Sequence, residues 1–247
     1  EDQSRGEAAT LPFFSNGQYT NPMVLRDAGL GYQKGFGGHF HNDNSLAVLR
    51  DIPGLILAVP SNGADAAKML RECVRLAREE QRLVVFVEPI ALYPMRDLHA
   101  EKDGGWMCLY PAQNELISLG EVGVQGAGAE LAIVTYGNGH YLSRQAEREL
   151  RAKGIDLRII DVRWLSPLPR EAILRATEGC AQVLVVDECR RSGNVSEEMM
   201  TLFTEAGRKA ARITAEDCFI ATGPAYAATL PSAAGITAAA LKLVGKA

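Results

Sequence analysis

Six short apolar runs constrain this chain more than any other feature. Residues 22–25, 55–59, 83–87, 131–134, 157–160 and 183–186 are apolar almost without interruption, where a half-exposed strand would alternate. A strand shielded by helices on both faces has no polar side to present, so such runs read as strands of a parallel sheet. Helical periods fall between them. From 64 to 81 the residues Ala67, Leu70, Val74 and Ala77 recur at steps of three and four. Ser61, Asn62 and Asp65 precede or open this stretch and suit an N-cap and an acidic first turn. Further helices read at about 141–153, ended by Gly154, at 170–178, stopped by Gly179, and at 196–206 and 235–244. Strands alternating with helices predict an α/β fold with mostly parallel sheets.

Composition narrows the function. With 47% hydrophobic and 23% charged residues, the 247-residue chain is neither disordered nor fibrous. A net charge of -4 speaks against nucleic acid as the main partner. Five cysteines without a CxxC pair argue against a disulfide framework or structural zinc site, and a reducing, cytoplasmic compartment is the expectation. The opening EDQSRGEAAT is not a signal peptide, and no run is expected to reach the ~20 apolar residues of a membrane span.

The strand–helix rhythm breaks between 94 and 129. There Gly, Pro and polar residues surround the isolated aromatics Trp106 and Tyr110, as in an inter-domain connection that is partly ordered. The expected units are 1–96, a linker at 97–126, and 127–247. The first unit shows three clear strands and one clear helix, which is thin for a free-standing domain.

The densest polar cluster is Gly35-Phe36-Gly37-Gly38-His39-Phe40-His41-Asn42-Asp43-Asn44-Ser45. Three readings compete for it: a turn, a metal site of His39, His41 and Asp43, and a catalytic histidine. Gly137-Asn138-Gly139 follows a strand and opens a helix, where a phosphate can sit. The third glycine of a dinucleotide fingerprint is missing, because position 142 is Leu, so a plain tight turn is favoured. Asp161 with Arg163, and Asp187-Glu188 with Arg190, stand at strand ends, and paired structural charges are the favoured reading. GxSxG, P-loop and HExxH motifs are absent, and neither Cys189 nor Cys218 has a neighbouring His in sequence.

Taken in order, the short motifs form a familiar series. Ser15-Asn16-Gly17-Gln18, Pro22-Met23-Val24-Leu25-Arg26, the glycine-rich turn with His41, Ile52-Pro53-Gly54-Leu55, Val59-Pro60-Ser61, Asp65-Ala66, Phe86-Val87-Glu88 and Leu92-Tyr93 come first. This order resembles the β subunit of the thiamine diphosphate-dependent decarboxylase component of 2-oxo acid dehydrogenase complexes. Ile133-Val134-Thr135-Tyr136-Gly137, Gly154-Ile155-Asp156, Ile160-Asp161-Val162-Arg163, Leu165-Ser166-Pro167-Leu168 and the strand before Asp187-Glu188 are similar to the transketolase-type C-terminal domain.

The resemblance implies that 1–96 is the C-terminal half of a transketolase-type pyrimidine-binding domain and 127–247 a transketolase C-terminal-like domain. It implies thiamine diphosphate and Mg2+ in the complete enzyme. The cofactor carbanion would attack the keto carbon of a 2-oxo acid, carbon dioxide would leave, and the acyl unit would pass to a lipoyl group on an acyltransferase core. The implied partner is an α subunit, or an N-terminal part, carrying the pyrophosphate-binding domain, within an oligomer. The family histidine stands eleven residues before the Ile of the IPGL-like motif, which places it at His41, with His39 as neighbour and rival. An imidazole suits that role because it exchanges protons near neutral pH.

Two departures qualify the match. Phe40 and Asn42-Asp43 replace the family's Gln and Ser-Gln. The family's pyrimidine-activating glutamate and aromatic clamp lie upstream of the matched residues; Glu1 and Glu7 have no matching context, and Glu88 matches a strand-end residue. No cofactor-binding residue and no metal ligand is therefore assigned, and the chain is expected to be a truncated, cleaved or split piece that is inactive alone. The rival readings are another thiamine enzyme such as a transketolase or deoxyxylulose phosphate synthase, a non-catalytic dimerisation module, and a zinc protein.

Overall fold

The apolar runs become strands of two sheets in a computed structural model that describes residues 2–31, 44–221 and 223–246. The first sheet runs in the order β1 (Met23–Gly29), β3 (Leu83–Pro89), β2 (Ile56–Ala58), β7 (Trp164–Ser166). Its first three strands are parallel, with Leu25 opposite Val85 and Leu57 opposite Val85 on the other side. The second sheet runs β4 (Gly123–Gln125), β6 (Leu157–Asp161), β5 (Leu131–Thr135), β8 (Gln182–Arg190), β9 (Ala210–Ala215). There β5, β6, β8 and β9 are parallel, and β4 alone is antiparallel. All six expected strands are present, and the expected α/β class with mostly parallel sheets holds. Sequence reading did not find β4, β7 and β9: β4 is a short, half-exposed edge strand, β7 follows β6 too closely to stand out, and β9 is only half-buried with its apolar residues broken by Arg212 and Thr214.

β7 comes from the second half of the chain yet pairs antiparallel with β2, and the Val59 N–H donates to the Arg163 carbonyl at 2.8 Å beside it. The two sheets also share one apolar core. Leu57, Val59, Val85 and Val87 of the first sheet cluster with Val134, Ile160, Val162 and Val185 of the second.

Helix α1 (Gly63–Glu80) starts where the cap signal placed it. Asn62 Oδ1 accepts the Asp65 N–H at 2.9 Å, and Gln81 ends the helix at φ 56°. Its buried stripe is Met69, Cys73, Leu76 and Ala77, with Val74 exposed, so the face is turned from the expected one. Ala67 and Leu70 instead line an apolar cleft of about 640 Å³ under the connection. Helix α2 (Gly137–Ala152) starts four residues before the expected point, at the Gly137 turn; α3 (Arg170–Ala176), α4 (Val195–Glu205) and α5 (Ala233–Val244) lie near their expected places.

The connection is an ordered strap. The Asp103 carboxylate accepts from the N–H groups of Leu98, His99, Ala100 and Gly105, which hold it well below the usual carboxylate range. Tyr141 and Gln145 of α2 donate to the Asp97 and Leu98 carbonyls, and Trp106 packs edge-on against Tyr141 and His140. One stretch departs from the expectation about apolar runs. Ala225–Val244 has the length and apolarity of a membrane span, with a mean hydropathy of 1.4. It is not one continuous α-helix here. Pro231 interrupts it, and Ser232 Oγ accepts the Gly235 N–H to start α5 afresh.

Candidate functional site

His39, His41 and Asp43 lie outside the described residues. Both stems of their segment are described, and both are fastened. On the β1 side, Leu30 is fully buried at φ 52° and its carbonyl accepts the Ala91 N–H at 3.3 Å. On the other side, Asn44 is 1% exposed. Its Nδ2 donates to the Glu188 carbonyl at 2.9 Å, its Oδ1 accepts from Arg190 at 3.3 Å, and Arg190 also donates to Ser45. Leu30 thus lies at the carboxyl end of β1, and Asn44 and Ser45 are fastened to the carboxyl end of β8. Carboxyl ends of parallel strands are where α/β proteins place their ligands.

The end of β8 is held by a buried network. Asp187 accepts from Tyr136 Oη at 2.6 Å and from the N–H groups of Cys189 at 2.9 Å and Ser196 at 3.0 Å. Burial pushes the Tyr136 hydroxyl and the Cys189 thiol well up, which favours the neutral thiol over the thiolate a nucleophile needs. A register shift in the β8–β9 pairing between Asp187 and Arg190 marks the point where the strand end breaks step with its neighbour. The Gly137-Asn138-Gly139 turn carries no phosphate cradle. Glu188 Oε1 already accepts the Asn138 N–H at 2.8 Å, and a Cβ on Gly137 would stand 2.5 Å from that oxygen.

Glu88 is committed as well. It pairs with Arg26 and accepts from Tyr93 Oη; Arg26 holds its carboxyl below the usual carboxylate range, and burial with the Glu88 bond pushes Tyr93 up to about 12.

A second polar cluster sits in the seam between the sheets. Arg163 does not pair with Asp161, as proximity in sequence led one to expect. It reaches across to Asp65 of α1, with Nε at 3.0 Å and Nη2 at 2.8 Å from Oδ2. Asp161 accepts from Ser61 at 2.8 Å and stands 3.5 Å from His140 Nδ1. Burial raises Asp161 to about 7, against the pull of Arg163 and Ser61. Burial, with the charges of Arg144 and Arg163, lowers His140 to about 3. Sequence reading passed over His140 because a histidine in the first turn of a helix carries no motif.

Thiamine diphosphate needs a free carboxylate for its pyrimidine and oxygen ligands for its divalent metal. The described residues do not fit it: Glu88, Asp187 and Glu188 are spent on protein groups, and no metal-holding group of three His, Cys, Asp or Glu occurs among them.

Comparison with known proteins follows the geometry. Residues 120–241 match the model of the transketolase C-terminal domain. The chain is 28% identical over 205 residues to the 2-oxoisovalerate dehydrogenase subunit beta of Bacillus subtilis, covering 83% of this chain and 58% of that protein. It is 28% identical over 204 residues to the pyruvate dehydrogenase E1 component subunit beta of the same organism, covering 81% and 56%. It is 31% identical over 212 residues to the 2-oxoisovalerate dehydrogenase subunit beta of Pseudomonas aeruginosa, covering 83% and 57%. The chain thus spans less than three fifths of the length of these relatives. Among solved structures, a split gene transketolase described as an inactive beta4 tetramer superposes with a TM-score of 0.66 at 20% identity, over 90% of this chain and 65% of that one. A 2-oxoglutarate:ferredoxin oxidoreductase from Magnetococcus marinus gives 0.58 at 13%, over 91% and 49%. Both likenesses speak to the fold alone.

Proposed function

We propose that this chain, whose residues 120–241 match the model of the transketolase C-terminal domain and which is similar to the β subunits of 2-oxo acid dehydrogenases, supplies part of the active centre of a thiamine diphosphate-dependent 2-oxo acid dehydrogenase. In this reading 1–96 is part of the pyrimidine-binding domain, 97–126 the linker, and 127–247 the C-terminal domain. His41, with His39 beside it, places an imidazole near the reacting carbon or the incoming lipoyl group. The cofactor and its Mg2+ are assigned to the assembly rather than to the described residues. That assembly includes an α subunit or equivalent part, a lipoyl acyltransferase core and further copies of the chain, in the cytoplasm.

The observation that supports the reading best is the fastening of Asn44 to Glu188 and Arg190. It joins the segment bearing both histidines to the second domain, so that domain has a part in the active centre as well as in assembly. The test is a comparison of the purified chain alone with the chain plus its partner polypeptide. Carbon dioxide release from 2-oxo acids and acyl transfer to a lipoylated acceptor are expected only from the combination. Robust turnover by the chain alone, or a reconstituted assembly that ignores 2-oxo acids, overturns the proposal. Ketol transfer between sugar phosphates would move the chain to the transketolase type.

A further inference from the structure

The seam cluster surrounds a polar pocket of about 300 Å³, lined by Trp106, His140, Arg144, Asp161 and Arg163 among others. Two of these side chains are more than nine-tenths buried and leave a polar atom without a hydrogen bond: His140 Nδ1 and Asp161 Oδ2. Buried polar atoms of native proteins have partners; these two stand 3.5 Å from one another without a hydrogen bond, beside a pocket where a further polar group could serve them.

Charge decides what that partner is. Arg163 is engaged by Asp65 and stands 3.5 Å from Glu121. Arg144 gives Nε to Glu147 at 2.8 Å, and its two terminal nitrogens make no hydrogen bond among the described residues. The carboxylates lining the pocket are already used or disarmed. Asp65 is taken by Arg163, and Asp161 Oδ1 by Ser61. Asp161 Oδ2 belongs to a carboxyl whose burial favours the protonated form, which is a donor. A cation would meet Arg144 and Arg163 with no free carboxylate to hold it. An oxyanion would meet unused donors.

We propose that this pocket binds a small oxyanion, a carboxylate or phosphate group, held by the terminal nitrogens of Arg144 and the carboxyl of Asp161 against Trp106. The volume admits only a small molecule. A guanidinium fork is suited to either anion. Binding is linked to His140: an anion offsets the positive field of Arg144 and Arg163, so it favours the imidazolium, and protonation of His140 favours the anion in return. Binding weakens as pH rises through about 7, because an ionised Asp161 repels the ligand. The charged and titrating groups facing this pair are Asp65 from α1, Arg144 from α2, Arg163 after β6, and Glu121 through Arg163.

The chain has four histidines, so side-chain nuclear magnetic resonance of the labelled imidazoles gives a resolvable readout. The intact chain is titrated separately with acetate and with inorganic phosphate at constant ionic strength. A saturable shift of the His140 signals is expected with either anion, and with acetate, whose charge is constant there, the affinity should fall between about pH 6 and about pH 8. Arg144→Gln should weaken the response at least about tenfold, and Arg144→Lys by less. A response to acetate alone marks a carboxylate site, to phosphate alone a phosphate site, and to both a general oxyanion site. The proposal is overturned if neither anion gives a saturable His140 shift, or if Arg144→Gln, with the other imidazole signals in place, responds like the parent.

Discussion

Asp161 and His140 face one another across 3.5 Å in the buried seam, and neither facing atom makes a hydrogen bond. Their shifts are opposite in sign. Burial raises Asp161 from 3.8 to about 7 and lowers His140 from 6.5 to about 3.

The pair should hide its own pH dependence. The raised carboxyl contributes stability that is present at low pH and lost as pH rises through about 7. The depressed imidazole contributes stability that is present at high pH and lost as pH falls through about 3. Between about 4 and about 6.5, the pair therefore holds one proton both folded and unfolded, and adds no slope to the parent there. Asp161→Asn should become more stable as pH rises across that window, and His140→Leu less stable, each by at most about 1.4 kcal/mol per pH unit. Urea midpoints across the window check this; parallel slopes in both variants would contradict it.

Asn44→Ala removes the donor to the Glu188 carbonyl and one acceptor of Arg190. A loss of about 1–3 kcal/mol in urea unfolding is expected. In the reconstituted enzyme, kcat should fall more than this loss of folded protein explains.

Gly137→Ala places a methyl group 2.5 Å from Glu188 Oε1 in a residue held at φ 53°. Strain and displacement of the carboxylate should cost about 1–3 kcal/mol. A thermal melt within error of the parent would show that the turn relaxes freely.

His41→Ala in the reconstituted enzyme should lower kcat by about 10²-fold with a smaller effect on KM, and His39→Ala should do less. The reverse order would hand the role to His39.

Much of the architecture was legible because burial on both faces writes itself into a sequence as unbroken apolar runs. β5 and β8 are of this kind, and both were found. What could not be read depends on neighbours distant in sequence. Trp164 and Leu165 follow β6 so closely that nothing marks them as members of another sheet. The stripe of α1 was ambiguous because two sets of residues share the same spacing, and only the strap over Leu70 decides between them. Arg163 was noticed beside the strand-end charge Asp161, but its partner was misjudged, since Asp65 lies nearly a hundred positions away. His39 and His41 stood out as members of a dense polar cluster and gained a role only through family order, whereas the pairing of Asn44 with Arg190 spans 146 positions and carries no signal in a single sequence.

The strand that closes the first sheet is made about a hundred residues after the strand it pairs with, since β7 docks on β2. During synthesis the β2 edge therefore stays raw until most of the chain has emerged, and the closing contact has a long loop to traverse. Until β7 arrives, the edge of Ile56, Leu57 and Ala58 is a template for stray pairing with other nascent chains.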